Sequence, residues 1–193
     1  MSTDVRFEST RRRLNGQQAE TVERLTSAAV EVLRENGPGG LSVRTVASRA
    51  GVAPATAYTY FSSKGHLIAE VFWRRLEDHA PEFASDGSTV DRVVGVLRDV
   101  ALLIADEPEL SSAVTAALLG DDPEVSHLRM RIGVDIRRRL VTALGDDYDD
   151  DNDDVISALE MVYAGALVRA GMGYGSYSDM ADAIESAARL ILR

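Results

Sequence analysis

The 193-residue chain has no cysteine, one lysine, one tryptophan and five prolines. Without cysteine there is no disulfide and no thiolate metal site, which fits a reducing compartment, so a cytoplasmic protein is expected. No apolar run approaches the roughly 18 residues of a membrane span. The most apolar stretch, 93–105, is interrupted by Arg98-Asp99, so no membrane partner is expected. Met1–Gln18 is polar and basic and does not resemble a signal peptide. Signs of catalysis are missing as well. His66, His79 and His127 are scattered and no glycine-rich phosphate loop follows a strand, so neither enzyme nor cofactor is expected. The acidic stretch 146–154 places Asp149, Asp151 and Asp153 at positions 1, 3 and 5 of a calcium loop, with Glu160 at position 12. Asp154 then stands where the sharp turn of such a loop needs glycine, and no metal is expected.

Charge is present but unevenly placed. Residues 1–75 hold eleven basic and seven acidic side chains, a net of +4, whereas residues 76–193 hold ten and twenty-four, a net of −14. Attraction to phosphate acts over about a Debye length, roughly 8–10 Å, so a locally basic head on an acidic body is compatible with nucleic-acid binding.

Within that head, the stretch 41–67 carries the most information. Ser42 is placed to cap a short helix over 43–50 with Val46 and Ala47 facing inward. Gly51 supplies the left-handed residue that ends it, and Val52 plugs the corner. Pro54 opens a second helix of two turns that closes at Tyr60-Phe61, since proline's missing N–H costs nothing in a first turn. The pattern is a helix-turn-helix, whose second helix enters a DNA major groove. At about 100° per residue, inward Ala57 and Phe61 leave Ala55 and Thr59 outward, Thr56 and Tyr58 on opposite flanks, and Tyr60 near the edge. Small residues and hydroxyls without an acid suit base edges and phosphate rails. Lys64, the one lysine among twenty arginines, sits at the start of the next helix. That position is unfavourable for a cation unless a phosphate lies nearby.

Gly51-Val52, Thr56, Tyr58, Tyr60-Phe61, Ser63-Lys64 and Leu67 resemble the DNA-binding signature of the TetR family of bacterial transcription regulators. The resemblance covers about 50 residues, and the chain length agrees. It implies contacts to an operator in double-stranded DNA from Val43 and Arg44, from Pro54, Ala55, Thr56, Tyr58 and Tyr60, and from Lys64. Three positions depart from the family pattern. Ala53 replaces the usual Ser or Thr cap, Ala57 replaces a larger aliphatic residue, and Gly65 replaces a common acid.

The fold expected is all-α, with about nine helices. Residues 1–16 form a flexible basic arm containing Arg11-Arg12-Arg13. Residues 17–80 form the helix-turn-helix domain with its connecting helix, and residues 81–193 a larger helical domain. Helices are read over 17–36, 64–80, 88–106, from 108 to 119, from about 121 to 144, from 155 to about 172, and from 179 to 193. The last two have small-residue faces, Leu159, Val162, Ala166 and Ala170 on one and Ala183, Ala187 and Leu190 on the other. The family resemblance implies that they pair in a homodimer. It also implies a cavity for a small-molecule effector, with Leu97, Leu103, Val114, Leu118, Met130, Val134, Met161 and Tyr163 as candidate lining residues. The function expected is a ligand-responsive, sequence-specific DNA-binding regulator, a repressor that leaves a palindromic operator when a small hydrophobic effector binds. The alternatives are an architectural DNA binder without effector and, less in keeping with the sequence, a helical enzyme.

Overall fold

A computed structural model describes residues 16–79, 87–145 and 153–193. The basic arm with Arg11–Arg13, the stop at Pro81 and most of the acidic stretch lie outside these residues. Among the described residues there are nine helices and no strand: α1 (Gly16–Gly40), α2 (Val43–Arg49), α3 (Pro54–Tyr60), α4 (Lys64–Asp78), α5 (Thr89–Leu102), α6 (Pro108–Leu119), α7 (Pro123–Leu144), α8 (Asp153–Gly171) and α9 (Tyr177–Ile191). The all-α expectation therefore holds. Two boundaries differ from the sequence reading. Regular α1 breaks at Gly37, whose φ is 65°, but helical turns continue to Gly40. Helix α5 stops at Leu102 rather than near 106, because the chain tightens there: the Ala105 amide bonds to Leu102 and the Glu107 amide to Ile104, three residues back in each case.

Local chemistry explains most helix starts. Ser42 accepts from the Thr45 amide at 3.0 Å, while the Thr45 hydroxyl accepts from the Ser42 amide at 2.9 Å, a reciprocal capping box. Ser88 caps α5 through the Asp91 amide, and Ser176 and Asp179 form a second capping box on α9. Helices α3, α6 and α7 each carry proline in the first turn.

The head is α1–α3 around Val22, Leu25, Ala29, Leu33, Val46, Ala47, Ala57 and Phe61, all essentially inaccessible. Helix α4 packs on α1, α6 and α7, so it joins the head to the rest. In the body, α5 lies between α7 and α9, and α8 between α6 and α9.

Candidate nucleic-acid interface and ligand cavity

The rotation of α3 follows from its two anchors. Ala57 and Phe61 are buried, which leaves Pro54, Ala55, Thr56, Tyr58 and Thr59 exposed. Tyr58 is the most open aromatic side chain of the head, at 52%. The Thr59 hydroxyl donates to the Thr56 carbonyl at 2.6 Å, turning it back onto the helix. The Thr56 and Tyr58 hydroxyls have no hydrogen-bond partner among the described residues. Ala53 provides no side-chain cap, so proline alone fixes this helix start. The turn before α3 is held from outside: Arg24 of α1 donates to the carbonyls of Ala50 and Gly51, the latter at 3.2 Å. Gly51 has φ 63°, a conformation that a side chain would strain.

Two of the expected DNA-facing side chains are placed differently. Val43 is only 3% exposed. The capping box sets the phase of α2 so that Val43, Val46 and Ala47 all face the core, leaving Arg44 outward. Tyr60 is half-buried and packs against the core, because it immediately precedes the buried anchor Phe61.

Pairing separates the cations of the head. Arg49 is engaged by Glu31 and Glu35, Arg34 and Arg75 by Glu107, and Arg74 by Glu70 and Glu23. Arg24 is held by the turn carbonyls just described. Among the described residues of the head, Arg44 and Lys64 are the two cations with no such partner, and both are exposed. They lie on either side of α3 in sequence, one at the start of α2 and the other at the start of α4. The exposed α3 face therefore comes with two uncommitted positive charges, an arrangement suited to a polyanion. Sequence reading does not find this selection, because apart from the Arg74–Glu70 pair within α4 the contacts that hold the five arginines join distant segments.

The body contains a cavity of about 400 Å³. Its wall is mostly hydrocarbon: Phe72 of α4, Val100 and Ala101 of α5, Ile104 just beyond it, Val114 and Leu118 of α6, Ile132 and Ile136 of α7, Leu167 of α8 and Met180 of α9. Of the residues proposed from sequence, Val114, Leu118 and Tyr163 line it. Met130, Val134 and Met161 do not; they are 70%, 64% and 75% exposed. The reason is helix phase. Leu128, Ile132, Ile136 and Leu140 bury one face of α7, and Met130 and Val134 fall on the other. Tyr163 faces inward on α8, so Met161, two residues away, faces out. Leu97 is buried one turn before the α5 segment that lines the cavity, and Leu103 packs half-buried beside it.

The polar lining is largely engaged. Arg129 donates through Nε to the Leu118 carbonyl at 2.7 Å and to the Gly120 carbonyl at 2.6 Å. Glu160 accepts from Arg137 at 3.1 Å. The Tyr177 hydroxyl donates to the Ser111 carbonyl at 2.7 Å and meets the Thr115 hydroxyl. Burial, and after it the neighbouring Tyr177, pushes the Tyr163 hydroxyl above the usual phenol range.

Helix α7 fastens α4 at both ends. At the N-terminal end, Ser63 caps α4 by accepting from the His66 amide at 2.9 Å and donates its own proton to Asp122. Asp122 in turn caps α7 by accepting from the Glu124 amide at 3.0 Å. The Ser63 hydrogen bond, opposed by desolvation, holds the Asp122 carboxyl below its ordinary value. Gly65 allows this approach: a Cβ there would lie 3.3 Å from Asp122 Oδ2 and 3.5 Å from Val125. At the other end, buried Arg139 donates to the carbonyls of Leu76 and His79, the latter at 2.7 Å, and is paired with Asp135 at 2.5 Å. A cation on a helix C-terminus also complements its dipole.

On α8, Met161, Ala164 and Gly165 are exposed, as are Met172 just beyond it and Ala183 and Leu190 of α9. Of the residues proposed for pairing, Leu159 is fully buried and belongs to the core. Val162, Ala166, Ala170 and Ala187 are half-buried.

Comparison with known proteins agrees with this architecture. Residues 25–71 match the model of bacterial regulatory proteins of the tetR family. The uncharacterized HTH-type transcriptional regulator Rv0767c of Mycobacterium tuberculosis is 46% identical over 180 residues, covering 92% of this chain and 83% of that protein. The HTH-type transcriptional repressor KstR of Rhodococcus jostii is 26% identical over 178 residues, covering 91% and 84%. The crystal structure of a TetR transcriptional regulator from Rhodococcus sp. RHA1 shares the fold, with a TM-score of 0.75 at 24% identity, over 92% of this chain and 98% of that one. The chain belongs to the TetR family and is a helix-turn-helix DNA-binding transcriptional regulator rather than an enzyme.

Proposed function

We propose that the protein is a homodimeric repressor that a small hydrophobic effector releases from a palindromic operator. Residues 17–80 form the DNA-binding unit and residues 81–193 the unit that binds effector and pairs with a second copy. Arg44, Pro54, Ala55, Thr56, Tyr58 and Lys64 contact DNA, the threonine at base edges and the cations at phosphate. One α3 reads only a few base pairs, so two copies in major grooves about 34–36 Å apart supply the affinity. The exposed apolar surface of α8 and α9, with Met161, Gly165, Ala183 and Leu190, supports pairing there.

The observation that carries the effector reading is a continuous polar path between cavity and head. Arg129 lines the cavity and holds the Leu118 and Gly120 carbonyls. Two residues beyond Gly120, Asp122 accepts from Ser63, which lies three residues beyond the end of α3. A ligand that shifts the cavity wall thereby shifts the start of α4 and the spacing of the two heads. Couplings of this kind amount to about 1–3 kcal/mol.

Selection of bound sequences from random DNA tests the reading. An inverted repeat is the expected result; absence of any enriched sequence at low ionic strength would overturn it. A thermal-shift screen of apolar compounds then separates regulator from architectural protein. The expected result is at least one compound that stabilises the protein and lowers its operator affinity.

A further inference from the structure

The charged side chains of the cavity lining already have partners inside the protein. Arg129 is committed to two main-chain carbonyls at the end of α6, and Glu160 to Arg137. Tyr177 and Thr115 are committed to each other and to the Ser111 carbonyl. Tyr163 is different. It lines the cavity, yet its hydroxyl makes no hydrogen bond to any described residue. Its side chain is partly accessible and forms part of the cavity wall. A hydroxyl that lines the cavity without a protein partner is free to donate to a ligand oxygen. Nothing comparable awaits an anion. A carboxylate would lose its hydration beside Glu160 and find no uncommitted cation among the described lining residues.

We propose that Tyr163 selects the effector by donating to one neutral oxygen, a ketone or ester carbonyl, on an otherwise hydrocarbon molecule. The proposal rests on the cavity being the effector site. It restricts the effector class from hydrophobic molecules in general to uncharged, singly oxygenated ones. Tyr163 is then the residue that discriminates an oxygenated ligand from its pure hydrocarbon counterpart.

The test uses the full chain and three probes of matched length, hexylbenzene, hexanophenone and 6-phenylhexanoate, each competing with the neutral fluorophore 1-aminoanthracene. Hexanophenone should bind about five- to ten-fold more tightly than hexylbenzene, the yield of one hydrogen bond, and 6-phenylhexanoate more weakly than the ketone. Tyr163→Phe should bring hexanophenone to the level of hexylbenzene and leave hexylbenzene unchanged. Equal binding of ketone and hydrocarbon, or an undiminished ketone preference in Tyr163→Phe, overturns the role of Tyr163 while leaving the cavity as a binding site. Tightest binding by the carboxylate overturns the neutral class. If neither neutral probe displaces the fluorophore, the effector site itself falls and the proposal with it. A ligand-free measurement adds a second check. Tyr163→Phe removes a donor with no protein partner and should leave the melting temperature unchanged; a marked fall would reveal a partner and overturn the assignment.

Discussion

The head and the cavity use charge in opposite ways. In the head, five of the described basic residues are held by carboxylates or carbonyls, and Arg44 and Lys64 remain open beside α3. In the cavity, Arg129 and Glu160 are both engaged inside the protein. The head thus presents unpaired charge outward and the cavity presents almost none inward. Pairing, more than the number of charges, decides which partner each surface can accept. The net charge of −10 describes neither.

The comparison can be broken most severely where charge is buried. Asp135 is shared by two arginines, buried Arg139 and exposed Arg138. Replacing Arg139 with Met leaves the buried carboxylate with exposed Arg138 alone and frees the Leu76 and His79 carbonyls, and should cost about 3 kcal/mol in urea unfolding. Arg138→Ala should cost no more than about 1 kcal/mol in the same assay, because its own side chain faces water and Asp135 keeps Arg139. Equal losses would show that burial does not set the difference.

Next in size are the open cations of the head. Arg44→Ala and Lys64→Ala should each weaken operator binding and, at about 0.9 per phosphate contact, reduce the slope of log affinity against log salt by about 1.8 for the proposed dimer. Arg49→Ala serves as the contrast: it is bound to Glu31 and Glu35, so the slope should not change. Tyr58→Phe should lower affinity for all sequences alike, whereas Thr56→Val should shift sequence preference with little effect on the salt slope.

The junction should give a smaller effect with a pH signature. Asp122→Ala removes the cap of α7 and should cost about 1 kcal/mol. Because the Asp122 carboxyl lies below its ordinary value of 3.8, its stabilising effect is complete above that value. It drains away as pH falls through the lower folded value. The stability gap between wild type and Asp122→Ala should therefore be constant from about pH 8 to about pH 5 and narrow only below the ordinary aspartate range. A gap that closes near neutrality would point to another group.

What was legible in the sequence was local. Ser42, Ser88 and the prolines of α3, α6 and α7 announce helix starts a few residues away, and Ala57 with Phe61 fixes which side of α3 is free. Gly65 reads in the sequence only as a departure from a common acid, whereas in the fold it gives Asp122 room to approach from 57 positions later. Met130, Val134 and Met161 were chosen for residue type, but their positions depend on helix phases set by Leu128, Ile132 and Tyr163. Val43 was carried over from the family pattern although the capping box turns it inward. The pinning of Arg49 and the clasp between Ser63 and Asp122 join distant segments, and no periodicity encodes them.

The double attachment of α4 has a mechanical consequence. A 15-residue helix is about 22 Å long. With Ser63 tied at one end and the Leu76 and His79 carbonyls at the other, α4 and α7 turn together as one strut, without swivelling past each other. A rotation of about 5° pivoting at the far end displaces the near end by roughly 2 Å over that length. In the proposed dimer this misalignment would arise twice, so a slight swelling of the cavity would suffice to take both reading helices out of step with the grooves.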